Sequence, residues 1–266
     1  MKEPRKHPLD KFYTKPAVAK SLLELVDVES FDFVIEPSAG NGSFSSLLPN
    51  CLAYDIHPEN ESVIKSDWFD VEIPKGRVLV IGNPPFGRQN ALAMRFISHA
   101  TSQNASAVAM VLPRSFKKSS VQKRIDRRYH LSTSVDLEDN SFLLNGNDYD
   151  VPCVFQVWEL RDHERDTPDS YLPKGFSFSD KDGSDFWIRR VGLHAGKYGT
   201  DVAEKSVSSH FFVSLEDKGL LPDFEKVLSS LKNEKASFSV GPRSISKQEI
   251  LAEIYSISPH WAMLKN

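Results

Sequence analysis

Apolar residues fall into short blocks separated by turn formers. Phe33-Val34-Ile35, Leu52-Ala53-Tyr54, Val63-Ile64, Val78-Leu79-Val80-Ile81 and Ala107–Leu112 each have the length and composition of a buried strand. Blocks at 131–137 and 151–159 bring the set to seven. Between them the spacing turns helical at 17–27 (Val18, Leu22, Leu23, Val26), 44–48, 89–101 and 118–128, with Thr14 placed to cap the first helix. Strands alternating with helices predict a mostly parallel sheet covered on both faces. The last two strands flank the loop Asn140 to Asp150 with no clear helix between them, so one antiparallel strand is expected there. After 160 the rhythm changes. A polar linker (161–185) leads to strand-like 186–191 and 209–214, then helical 220–231 and 246–255. Residues 1–160 are thus expected as one domain and 161–266 as a C-terminal α+β extension.

Several strands end on polar residues. Asn83-Pro84-Pro85-Phe86-Gly87 follows the strand 77–82. Its prolines cannot extend the strand, so the backbone stops and an amide is held at the carboxyl edge, with an aromatic ring three residues later. In an open α/β sheet that edge is where ligands bind. A plain strand-ending turn would use the same residues. Gly40 and Gly42, in the loop that ends the first strand, permit positive φ and a close backbone approach to a ligand. That loop opens onto the expected helix 44–48, whose amides would face a carboxylate or a sugar. Asp55 ends the second strand, where a carboxylate accepts ribose hydroxyls or is simply solvated.

Composition adds bounds. The 266 residues suffice for one ordinary domain plus an appendage, and 40% apolar with 26% charged residues describes a folded globular chain. No apolar run approaches the ~20 residues that span a bilayer, and the first seven residues lack a signal core. An intracellular protein (cytoplasm, nucleoid or nucleus) that is neither secreted nor membrane-bound is expected. Cys51 and Cys153 fall in expected strands and read as small buried hydrophobes. Net charge is −3, which does not announce a nucleic-acid binder, although Arg114, Lys117, Lys118, Lys123, Arg124, Arg127 and Arg128 crowd one stretch. The eight histidines are scattered and no Cys-x-x-Cys spacing occurs, so no metal site is expected.

Glu36-Pro37-Ser38-Ala39-Gly40-Asn41-Gly42-Ser43-Phe44 closely resembles the first cofactor motif of the class I amino-methyltransferases that use S-adenosylmethionine, and Asn83-Pro84-Pro85-Phe86 resembles their catalytic motif. The resemblance implies a Rossmann-like fold with a seven-stranded sheet, and S-adenosylmethionine as cofactor. It implies cofactor contacts from Glu36, Pro37, Ser38, Gly40, Gly42, Asp55, Ile56, Asp67 and Asn83. Asp67-Trp68 resembles the motif that accepts from the cofactor's adenine amino group and packs on its ring, with plain core packing of Trp68 equally open. Tyr13-Thr14-Lys15-Pro16 resembles the N-terminal motif laid across the methionine part, with Lys15 departing from the usual pattern.

The chemistry these residue types suit is methylation of an exocyclic amino group. Its lone pair is delocalised into the ring, so attack needs acceptors for both N–H bonds. The Asn83 side-chain oxygen and the Pro84 carbonyl can supply them, on a backbone restricted by Pro84 and Pro85. Phe86 would stack on a flipped base. Phe142 is either a second wall for that base or a core residue, and Arg114 and Lys117 either touch phosphate or are solvated. The expectation is adenine-N6 methylation, with DNA the first choice of partner and RNA the second. A methyltransferase-like subunit that binds without catalysing is the remaining reading. The extension, with Trp187-Ile188-Arg189-Arg190-Val191 and Gly196-Lys197-Tyr198-Gly199, reads as a target-recognising surface, a structural cap or an oligomer contact.

Overall fold

The turn formers that punctuate the sequence also end the strands. The computed structural model describes residues 12–166, 171–233, 236–237 and 243–264. They run β1 (Tyr13–Thr14), α1 (Pro16–Leu23), β2 (Phe33–Glu36), β3 (Leu52–Asp55), β4 (Ile64–Lys65), β5 (Val78–Gly82), α2 (Ala91–Ser102), β6 (Ala107–Pro113), α3 (Ser119–Gln122), β7 (Tyr129–Asp136), β8 (Phe142–Leu144), β9 (Asn147–Tyr149) and β10 (Cys153–Leu160). The chain forms two compact units, Met1–Thr167 and Pro168–Asn266.

In the first unit a seven-stranded sheet has the order β4-β3-β2-β5-β6-β10-β7. β2, β3, β4, β5 and β6 pair parallel with their neighbours, and only β10 runs antiparallel, between β6 and β7. This is the Rossmann-like architecture of class I methyltransferases. The centre reads as sequence burial demands: every residue of β5 and β6 is buried, because helices cover both faces.

Local chemistry explains where the elements differ from expectation. Thr14 does not cap α1; it lies in β1, paired with Phe142 of β8, while Pro16 starts the helix and Lys15 supplies no cap. The segment 44–48 forms a 3-10 turn at Ser45–Leu47, because Leu48 precedes Pro49 and is extended. The basic stretch 118–128 is helical only over α3, with i→i+3 bonds from Arg124 and Ile125 closing it. The loop Asn140 to Asp150 contains the hairpin β8–β9, turned by Asn145 and Gly146 at φ 52° and 79°. Asn-Gly with positive φ at both positions is the preferred two-residue hairpin turn. β8 pairs with β1, and the resulting three-stranded sheet fixes the N-terminal motif.

The second unit holds β11 (Phe176–Ser179), β12 (Phe186–Arg189), β13 (Tyr198–Gly199), β14 (His210–Leu215), α4 (Leu221–Ser229) and α5 (Lys247–Ile257), with sheet order β11-β14-β12-β13, all antiparallel. Its core is built on Phe176, Phe186, Ile188, Val213, Phe224, Ile250, Ile254 and Trp261. β11 lies inside the expected linker, where Phe-Ser-Phe-Ser alternates as a half-buried strand does. α5 opens with a reciprocal capping box between Ser246 and Glu249.

Candidate active site

β2 and β5 lie side by side, and from them the strand order runs outward in opposite directions. Their carboxyl ends therefore border the crevice that such sheets use for ligands. A cavity of about 290 Å³ occupies it. Tyr13 and Thr14 of β1, the run from Glu36 to Gly40, the end of β3 at Asp55, Ile56 and His57, the segment Asp67-Trp68-Phe69, and Asn83-Pro84-Pro85 all line it.

Each strand end is held by its own hydrogen bonds. Asp55 accepts from the Gly40 amide (2.8 Å) and the His57 amide (2.7 Å), which fixes its carboxylate while leaving lone pairs on both oxygens. Ser38 donates to the Asn83 carbonyl at 3.3 Å, tying the β2 loop to the β5 loop. Tyr13 donates to Glu59 at 2.6 Å, and its ring explains Gly40: a β-carbon there would sit 2.8 Å from Tyr13 Cε1, on a backbone already at φ 53°. Burial, with Glu59 and Asp55 nearby, pushes the Tyr13 hydroxyl well above its ordinary pKa. Asp67 accepts from the Phe69 amide (3.0 Å), so its carboxyl is oriented at the cavity edge. Trp68 is buried, donates to the Phe96 carbonyl (3.2 Å) and packs on Phe96 and His99, making it a core residue that also lines the cavity.

Glu36 takes the place assigned to an external anion. Its carboxylate accepts the Ser45 amide at 2.7 Å, and the neighbouring amides of Gly42 and Ser46 are bonded within the loop. Without a full helix after the glycines, the Ser45 amide serves the chain's own acid and those of Gly42 and Ser46 close the loop on its own carbonyls. Burial raises the Glu36 pKa to about 7, outweighing the bonds from Ser45 that favour the charged form. Among the described residues, two side-chain polar atoms at the cavity are buried with no hydrogen-bond partner: Thr14 Oγ1 and Asn83 Oδ1.

Residues 28–165 match the EDM2 methyltransferase-like domain. The chain belongs to the EDM2 methyltransferase-like family. Protein ENHANCED DOWNY MILDEW 2 of Arabidopsis thaliana is 25% identical over 158 residues, which cover 53% of this chain and 12% of that protein. Among solved structures, a protein provisionally described as an RNA methyltransferase from Pyrococcus horikoshii aligns with a TM-score of 0.46 at 17% identity, covering 59% of this chain and 91% of that one. A dimethyladenosine transferase from Plasmodium falciparum aligns at 0.41 and 16% identity, covering 56% and 64%.

The cofactor of this EDM2-like domain is S-adenosylmethionine, and the cavity residues fit it. The carboxylates of Asp55 and Asp67 line the cavity as acceptors that hydroxyl or amino groups of the cofactor could meet, and Ile56, Trp68 and Phe69 line it with apolar surface. The unpartnered Thr14 hydroxyl and the acidic Glu36 face the same space, where a cofactor carrying positive charge would find them.

The family member does not gather every expected residue here. Gly42 turns the β2 loop at φ 85° but is not in the cavity wall. Phe86 and Phe142 are buried and outside the wall; Phe12, which does line it, meets them edge-on at 5.3 and 4.9 Å. Arg114 and Lys117 both engage Asp136, at 3.4 and 2.7 Å. Sequence reading missed Phe12, His57 and Glu59. Phe12 adjoins the Tyr13-Thr14 motif and could have been found; Glu59 is forty-six positions from Tyr13, and only folding reveals the pair. Among the described residues no cluster could hold a metal ion and no helix is long and apolar enough to cross a membrane.

Proposed function

We propose that the chain transfers a methyl group from S-adenosylmethionine to the N6 amino group of adenine in nucleic acid. The observation that carries this reading is Asn83 Oδ1: a buried acceptor without a partner, in the wall of the cofactor cavity, on a backbone stiffened by two prolines. Such an atom is costly unless a ligand donor meets it. An amino group attacking an electrophilic methyl is that donor. As the N–C bond forms and the C–S bond breaks, positive charge grows on the nitrogen, and the Asn83 oxygen with the Pro84 carbonyl stabilises its N–H groups until one proton leaves to solvent. Held proximity of nitrogen and methyl supplies the rest of the acceleration. The bound cofactor supplies the electrophilic methyl.

DNA is the first substrate in this proposal, because residues 36–44 resemble the motif of DNA amino-methyltransferases. The test is direct. The protein is incubated with labelled S-adenosylmethionine and matched DNA and RNA, and the products are digested to nucleosides. Label in N6-methyldeoxyadenosine is expected, label in the ribonucleoside moves the activity to RNA, and cofactor binding with no transfer to either polymer rejects catalysis. Undiminished transfer by Asn83→Ala would remove Asn83 from the mechanism.

A further inference from the structure

The second unit carries a groove of its own, about 570 Å³ and open to solvent. Its wall includes the half-buried ring of Tyr198, backed by Leu228 of the unit's core. Its rim is basic: Lys197, Lys232 and Arg243 are exposed and line it beside His194, and among the described residues that line it none is acidic. Among the described residues none of these four side chains has an ion-pair or hydrogen-bond partner. In a chain of net charge −3 this is a local excess of cations, whereas Arg114, Lys117, Arg127 and Arg128 of the first unit are matched by Asp136, Glu164 and Asp126.

The groove is also built. Gly196 has φ 93°, and a β-carbon there would meet the Asn233 amide carbon at 2.1 Å, so the two chain segments touch only because position 196 has no side chain. The Asn233 amide donates to the carbonyls of Gly196 (3.4 Å) and Leu231 (3.2 Å), and Glu253 accepts the backbone amides of Lys232 and Asn233. These bonds set the backbone that presents Lys197 and Lys232. Asn233 Oδ1, in the same wall, is buried with no partner and is an acceptor for a ligand donor.

We propose that this groove binds the phosphodiester backbone of a single-stranded nucleic acid, with the cations on phosphates and the Tyr198 ring beneath a base. Unpaired cations beside an aromatic ring is the arrangement by which single strands are held without sequence readout. The proposal rests on the reading of the chain as a nucleic-acid methyltransferase and adds a second, non-catalytic contact to it.

The full chain is titrated with short labelled single-stranded DNA and RNA over a range of salt. The combined variant Lys197→Ala, Lys232→Ala, Arg243→Ala is expected to bind about tenfold or more weakly, with a slope of log K against log salt smaller by about 2, for three phosphates at ~0.7 each. Its S-adenosylmethionine affinity and thermal transition stay those of the unaltered chain. Whichever polymer loses more affinity names the natural strand. Unchanged affinity and slope overturn the proposal, as does competition by inorganic phosphate or polyglutamate as strong as by oligonucleotide. Asn83→Ala separates the two readings: it loses transfer and keeps this binding, so absence of methylation alone leaves the groove intact.

Discussion

Asn83→Ala should lower methyl transfer by about a hundredfold, the scale at which one preorganised hydrogen-bonding group contributes, measured as single-turnover rate at saturating cofactor. Gly40→Ala should destabilise the fold by about 1–2 kcal/mol in urea denaturation and weaken cofactor binding, because it adds left-handed strain and displaces the Tyr13 ring. Glu36 makes stability depend on pH. Its folded pKa, about 7, lies above the ordinary 4.5, so the native state holds more protons than the unfolded chain between those values. Stability therefore falls as pH rises through that window, by roughly 3 kcal/mol in all, and is fully present below the unfolded value. Glu36→Gln should flatten this slope in melts run between pH 5 and 8. A slope identical in both proteins would show that Glu36 does not titrate there.

At the level of elements, the loop Asn83 to Phe86 packs against strands distant in sequence. Phe12 packs edge-on against Phe86 from the β5 loop and Phe142 from β8, and tilts against Tyr149 of β9. Phe12→Ala should cost about 3 kcal/mol and raise amide exchange in β8 and β9 as well as around Phe86, since the cluster loses its common member. The loop after Phe86 runs left-handed at Gly87, Gln89 and Asn90 (φ 67°, 52° and 62°), which strains Gln89, and the Asn90 side chain donates to Ser115 at 2.6 Å. A β-carbon at Gly87 would stand 2.7 Å from Leu92 Cβ, so this turn and the start of α2 close only on glycine.

For the whole molecule, the two units have separate cores, and the cofactor cavity belongs to the first. Saturation with S-adenosylmethionine at a hundred times its Kd should stabilise that unit by ~2.7 kcal/mol. Hydrogen exchange should report it as slower exchange in β2 and β5, with β14 of the second unit unchanged. Slowing in β14 alone would place the cofactor elsewhere.

The sequence by itself determined the seven strands, the antiparallel placement near the end, and the strand ends that line the cavity, because a buried parallel strand needs a continuous apolar run and its exit needs a breaker. Asn83, Asp55, Gly40 and Asp67 were legible for that reason. The hairpin β8–β9 was written in Asn145-Gly146, and β11 in the alternation of Phe176 to Ser179, though both segments read as loop or linker beside stronger signals. Only the tertiary structure decided that Tyr13 pairs with Glu59, that Glu36 holds the Ser45 amide, and that Phe86 and Phe142 lie behind Phe12 rather than in the cavity wall. Those outcomes depend on which side chains meet across many residues of chain. Local spacing sets where a strand ends, while burial and partnership of its last side chain are set by what packs against it.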